Sequence, residues 1–237
     1  MRGDHGHSRQ EIADRLARGI SGGHLRDVIY GGIDGAVTTF AIVAGVQGAG
    51  LSPTVIIALG IANVLADGFS MAASNFSGTK ADLDDRKRLK AIEARHIRDY
   101  PEGEREELRQ IFANRGLSGE TLEAALEAVA ADPEKWIEIM LTDEYGLSPV
   151  DPNPKAAAVV TFLSFLVAGI IPLGPFIFGL PNPFLIATIA TGAVFFAIGT
   201  GKSRWSLTPW WLSGLETLLI GSVAAGIAYF VGSLFYV

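Results

Sequence analysis

The chain has 237 residues, 49% of them hydrophobic and 19% charged, with 25 acidic and 19 basic residues for a net charge of -6. That is too apolar for an ordinary water-soluble domain and too charged for a chain held wholly in lipid, and the negative balance favours cations over nucleic acid as partners. Cysteine is absent, which excludes disulfides and thiolate metal sites and leaves oxygen, nitrogen and thioether ligands for any metal.

The first ten residues, MRGDHGHSRQ, lack the apolar core and small-residue cleavage site of a signal peptide. Ser8 to Glu11 fits a capping box, and Ile12, Leu16 and Ile20 follow at four-residue intervals, so residues 1–27 read as an amphipathic segment on the membrane surface. A first span is predicted from Val28 to Leu51, where Gly31 and Gly35 form a small-xxx-small pair that admits a second helix closely. A second runs from Thr54 to Phe76, long enough at about 1.5 Å per residue to cross a hydrocarbon core. Its helical pattern continues past Lys80 into densely charged sequence with no Pro or Gly between Gly78 and Pro101.

Charge is segregated along the chain. Residues 77–155 hold 12 Lys/Arg and 18 Asp/Glu, whereas Ala156 to Gly201 holds none, which marks residues 80–150 as a soluble insert between spans. Within it, helices are expected from Pro101 to Arg115, from a Ser118 cap to about Ala131, and from an Asp132 cap with Pro133 behind it to near Gly146. Leu108, Ile111 and Phe112 stripe the first of these and Leu122, Leu126 and Val129 the second, as in a small helical bundle. Three prolines in SPVDPNP stiffen the return to the membrane.

Further spans are predicted at 156–180, with Pro172 and Pro175 kinking it, at 183–201 and at 210–237. The fold class is therefore an all-α membrane protein with five transmembrane helices and a soluble helical-bundle insert between the second and third. Its segments are 28–79 (spans one and two), 80–150 (insert) and 151–237 (spans three to five). Lys and Arg concentrate before Gly31, in the insert and at Lys202 and Arg204, so the N-terminus and insert face the cytosol and the C-terminus the far side.

Three acids fall inside spans: Asp34, Asp67 and Glu216. Ionised carboxylates in lipid are costly and usually face a polar cavity, although Glu216, beside Trp210 and Trp211, is as well explained by anchoring. Asn63, Asp67 and Met71 recur every four residues and so share one face of the second helix. A methionine in an apolar span is usually packing, but a thioether one turn from a carboxylate suits a borderline transition metal better than magnesium or calcium. In the insert, Glu93/His96 and Glu104/Glu107 at i, i+3 and Met140/Glu144 at i, i+4 each place two donors on one face. Helix surfaces are also glutamate-rich for solubility alone.

The stretches RDVIYGGIDGAVTTFAIVAGV and ANVLADGFSMAASNF, followed by a charged helical insert and three more spans, resemble the vacuolar iron transporter (VIT) family from about Arg26 onwards. The resemblance implies a homodimeric, proton-coupled exporter of Fe2+ or related ions from the cytosol, with Asp34 and Met71 lining a path between protomers. It also implies cytosolic metal ligands at Glu93, Glu104, Glu107, Met140 and Glu144. Departures are His96 where the family carries a second glutamate, Asn63 where it often carries a glutamate in the second span, with an acid instead at Asp67, and Thr39 in place of a frequent proline. Imidazole is itself a competent ligand for such ions.

The expected function is thus Fe2+ export by proton antiport, with Mn2+, Zn2+ or Co2+ as other possible cargo and no prosthetic group. A bacterial inner membrane is the expected setting. One rival is a membrane-anchored metal buffer or sensor that does not transport. Another, an enzymatic di-iron centre, needs paired Glu-x-x-His motifs, and the insert has only Glu93-x-x-His96, so no enzyme is expected.

Overall fold

The computed structural model describes residues 8–17 and 23–236. It is all-helical, with no strand among the described residues: α1 (Arg9–Ala17), α2 (Leu25–Gly48), α3 (Pro53–Asp99), α4 (Pro101–Asn114), α5 (Gly119–Ala130), α6 (Pro133–Asp143), α7 (Pro154–Ile170), α8 (Gly174–Ile177), α9 (Pro183–Lys202) and α10 (Trp210–Ser233). The capping box of α1 is formed, with Ser8 N donating to Glu11 Oε2 at 3.1 Å and Glu11 N to Ser8 Oγ at 3.3 Å. The Leu16 side chain and Ile20, which complete its expected apolar stripe, lie outside the described residues.

Two compact units are present. The first comprises Gly23–Ser77 and the chain from Pro154 onwards. It carries five helical stretches long and apolar enough to cross a membrane: Leu25–Gly48, the first part of Pro53–Asp99, Pro154–Ile177, Pro183–Trp205 and Trp210–Ser233. Large apolar side chains such as Leu185, Ile189, Leu219, Val223, Ile227 and Phe230 stand on the outside. Water would penalise that distribution and lipid does not, so the chain is an integral membrane protein.

Inside this unit Phe40, Val43 and Val46 of α2 pack with Ile56 and Val64 of α3, Leu173, Phe176 of α8 and Ala187 of α9. Where α2 crosses α7, a methyl group on Gly31 or Gly35 would collide with the backbone carbonyls of Thr161 and Phe165. The small-residue face expected to admit a second helix closely is filled by α7 of the same chain, because two glycines one turn apart let backbone meet backbone there. α2 ends three residues before the predicted boundary. Gly50 takes a left-handed φ of 73°, and Leu51 N donates back to Val46 O at 3.2 Å, closing the helix. The predicted proline kink is a full interruption: α7 stops at Ile170, a 3₁₀ turn covers Ile171–Leu173, and α8 follows.

The second unit comprises Gly78–Asn153 together with α1. α4, α5 and α6 bury Leu108, Phe112, Leu122, Leu126, Trp136 and Met140 in one cluster, while Leu89 of α3 packs with Ile137 and Leu141 of α6. Arg109 bridges α4 to α5 through Glu123 at 2.9 Å, and Arg86 of α3 holds the return linker through Asp151 at 2.7 Å and Ser148 O at 2.6 Å. Asp132 caps α6 by accepting from Lys135 N at 3.4 Å. Ser118 occupies the N-cap position of α5 in extended conformation, but its side chain makes no capping bond, so its expected role reduces to backbone geometry.

Candidate metal centre

α3 ends where Tyr100, restricted by the proline after it, leaves helical geometry at φ -135°, ψ 51°, and Pro101 opens α4. This corner folds Glu104, in the first turns of α4, back over Glu93 and His96, one turn apart on α3. His96 Nδ1 lies 3.3 Å from Glu104 Oε1 and 4.0 Å from Glu93 Oε1. One ligand atom from each of the three residues falls within 4.8 Å of the others, the spacing of donors around one cation.

The electrostatics of this cluster are unusual. Glu93 and Glu104 are 1% and 5% exposed, and the Oε2 atom of each is buried without a hydrogen-bond partner. Among the described ion pairs the only basic partner of either acid is the His96 imidazole. Burial, and then the charges of Glu93 and Glu107, push the Glu104 carboxyl up to about 7. Glu144 is raised as well, by burial and by Glu93 and Glu107, so these exposed acids stand close enough to act on the buried pair. The arrangement is short of positive charge at its centre, and a divalent cation would supply it.

Tyr145 completes the surroundings, donating its phenol O–H to Glu93 Oε1 at 2.8 Å. Burial, together with Glu93 and Glu144, raises its phenol further above neutrality, so it stays a donor. Sequence reasoning missed this residue. The available signal was Gly146, whose left-handed φ of 66° ends α6 early, at Asp143 rather than near Gly146, and sets Glu144 and Tyr145 just beyond the helix. Met140, expected as a thioether donor beside Glu144, is wholly buried among Leu108, Phe112, Leu126 and Trp136.

In the membrane unit, Asn63 Nδ2 donates to Thr38 Oγ1 at 3.2 Å and Thr39 Oγ1 at 3.4 Å, and Thr38 Oγ1 donates to Asp34 O at 2.9 Å, tying α3 to α2 beside the acid. Asp34 is half-buried, and Asp67 is close enough for the two carboxylates to interact electrostatically. Asp67 itself is exposed, and Met71, one turn further on, is partly buried. Glu216 pairs with Lys202 at 3.0 Å and ties α10 to α9.

A second feature not foreseen is a polar node on α2, α3 and α7. Asn75 Nδ2 donates to Asp27 Oδ1 at 2.8 Å and Thr161 Oγ1 at 2.7 Å, while His24 Nδ1 meets Asp27 Oδ2 at 2.9 Å.

The sequence model of the VIT family matches residues 25–233. A vacuolar iron transporter 1 of Oryza sativa subsp. japonica is 29% identical over 212 residues, covering 88% of this chain and 84% of its own. A vacuolar iron transporter of Centaurea cyanus is 31% identical over 216 residues, covering 88% and 86%. One from Plasmodium falciparum (isolate 3D7) is 29% identical over 221 residues, covering 88% and 81%.

Proposed function

The chain belongs to the VIT family, and from that premise we propose that it exports a divalent transition metal, Fe2+ foremost, from the cytosol in exchange for protons. Residues 80–150 form a soluble cytosolic metal-binding domain in which Glu93, His96, Glu104, Glu107, Glu144 and the thioether of Met140 capture the ion. It then passes to a membrane path lined by Asp34, Asn63, Asp67 and Met71, and protons from the far side recharge the carboxylates and release it.

One observation carries this reading: two buried carboxylates, Glu93 and Glu104, each have an oxygen without a partner beside an imidazole. Such a pair is costly empty and favourable around a cation. Relatives named as iron transporters support the cargo.

The functional unit in this reading is a homodimer. One copy offers the membrane path few donors, and a two-fold axis doubles each of them. With Gly31 and Gly35 covered by α7, the partner meets the exposed small-residue face of α3 at Ala62, Ala66, Ser70 and Ala73.

Sealed vesicles with an imposed pH gradient test the proposal. Fe2+ uptake driven by the gradient and lost in Asp34→Ala supports it. Uptake indifferent to both overturns it, and metal binding without any uptake points instead to a tethered buffer.

A further inference from the structure

We infer that Tyr145 is a positioning residue of the metal centre, locking the Glu93 carboxylate in its ligating orientation through a neutral hydrogen bond. The inference rests on the reading that Glu93, His96 and Glu104 bind a divalent cation, and deepens it. A glutamate side chain has three rotatable bonds, and an ion recovers less free energy from a ligand it must first immobilise. Glu93 is held by the Tyr145 O–H on Oε1 at 2.8 Å, which leaves Oε2 uncommitted and buried.

The post that holds it is rigid. Tyr145 packs beside Leu89, Ile137 and Leu141, its backbone N donates to Met140 O at 3.4 Å, and Leu147 N donates to Leu141 O at 3.0 Å across the Gly146 turn. The ring is thus fixed by the end of α6, while the carboxylate it orients comes from α3. The chemistry of the donor matters as much as its position. A Lys or Arg at this place would fix the carboxylate equally well but neutralise it, competing with the cation. A phenol fixes it and leaves its charge intact, and among the described residues neither Glu93 nor Glu104 pairs with a Lys or Arg.

The experiment titrates full-length protein in detergent with Co2+, whose visible bands report both occupancy and ligand geometry. Tyr145→Phe keeps the ring and removes the O–H. It is expected to weaken Co2+ binding about 10- to 100-fold, the usual effect of losing an outer partner of a ligand, and to shift the bands, with unchanged helical circular dichroism. In a Glu93→Ala background the same change should have little further effect, because the two residues act as a unit. Wild-type affinity and bands in Tyr145→Phe, or an equal loss with and without Glu93, overturns the inference, the latter because it marks a packing role. If the wild type binds Co2+ and Glu104→Gln weakens it while Tyr145→Phe does not, only the role of Tyr145 falls. If Co2+ binds neither the wild type nor the variants, the metal-centre reading falls with it.

Discussion

The imidazole Nδ1 of His96 on α3 stands 3.3 Å from Oε1 of Glu104 on α4, across a corner made by Tyr100 and Pro101. This contact joins two helices whose donor pairs were separate in the sequence pattern, and it turns two surface-type spacings into one buried cluster.

Removing a carboxylate from that cluster should have opposite effects on binding and on the metal-free fold. Glu104→Gln is expected to weaken divalent-metal binding by about tenfold or more. The same change should raise metal-free thermal stability at neutral pH, since it removes a buried, partly unpaired charge. Calorimetric metal titration and melting curves measure the two sides.

The sign of the pH dependence follows from Glu104, whose carboxyl is raised from 4.5 to about 7 by burial and neighbouring acids. The folded state prefers the protonated form, so this group's contribution to stability is fully present below about pH 4.5. It is lost as pH rises through about 7. Metal binding runs the other way, because the proton must leave. The Glu104 proton alone should make affinity rise about tenfold per unit up to about pH 7, and Glu104→Gln should remove that share of the slope.

Close packing of α2 on α7 makes Gly35 intolerant of even one methyl. Gly35→Ala meets the Phe165 backbone, which cannot swing aside, and should cost on the order of 1–3 kcal/mol. Gly78→Ala, in a helical position with nothing within 4 Å, should stabilise by about 0.5–1 kcal/mol. Thermal unfolding in detergent compares them.

Asn75 bridges α3 to both Asp27 of α2 and Thr161 of α7. Asn75→Leu conserves bulk and strands two polar groups, with an expected loss of about 1–3 kcal/mol in the same assay.

The absence of cysteine allows a clean test of the dimer face. Under mild oxidation Ala66→Cys, exposed on α3, should give disulfide-linked dimers, whereas Leu219→Cys, exposed on α10, should not. Non-reducing electrophoresis reads the result, and crosslinking at Leu219 alone would place the two-fold axis elsewhere.

The five apolar stretches and the spacing of Glu93 from His96 were legible in the residues, because 3.6-residue periodicity and segregated charge act within one element. Helix ends were less so. Gly50 and Gly146 moved two boundaries by adopting left-handed turns, and Ser118 looked like a side-chain cap without being one.

What spacing could not decide was which faces meet. The glycine pair on α2 announced a close helix contact but not that α7, more than 120 residues on, would occupy it. Glu104 and Tyr145 reach Glu93 only because the Pro101 corner and the Gly146 turn return the chain to α3. Local periodicity sets the face a side chain occupies on its own helix, whereas packing between distant helices sets its partner. The sequence by itself therefore determined the donors available, and tertiary structure alone decided that two buried acids, an imidazole and a phenol would converge.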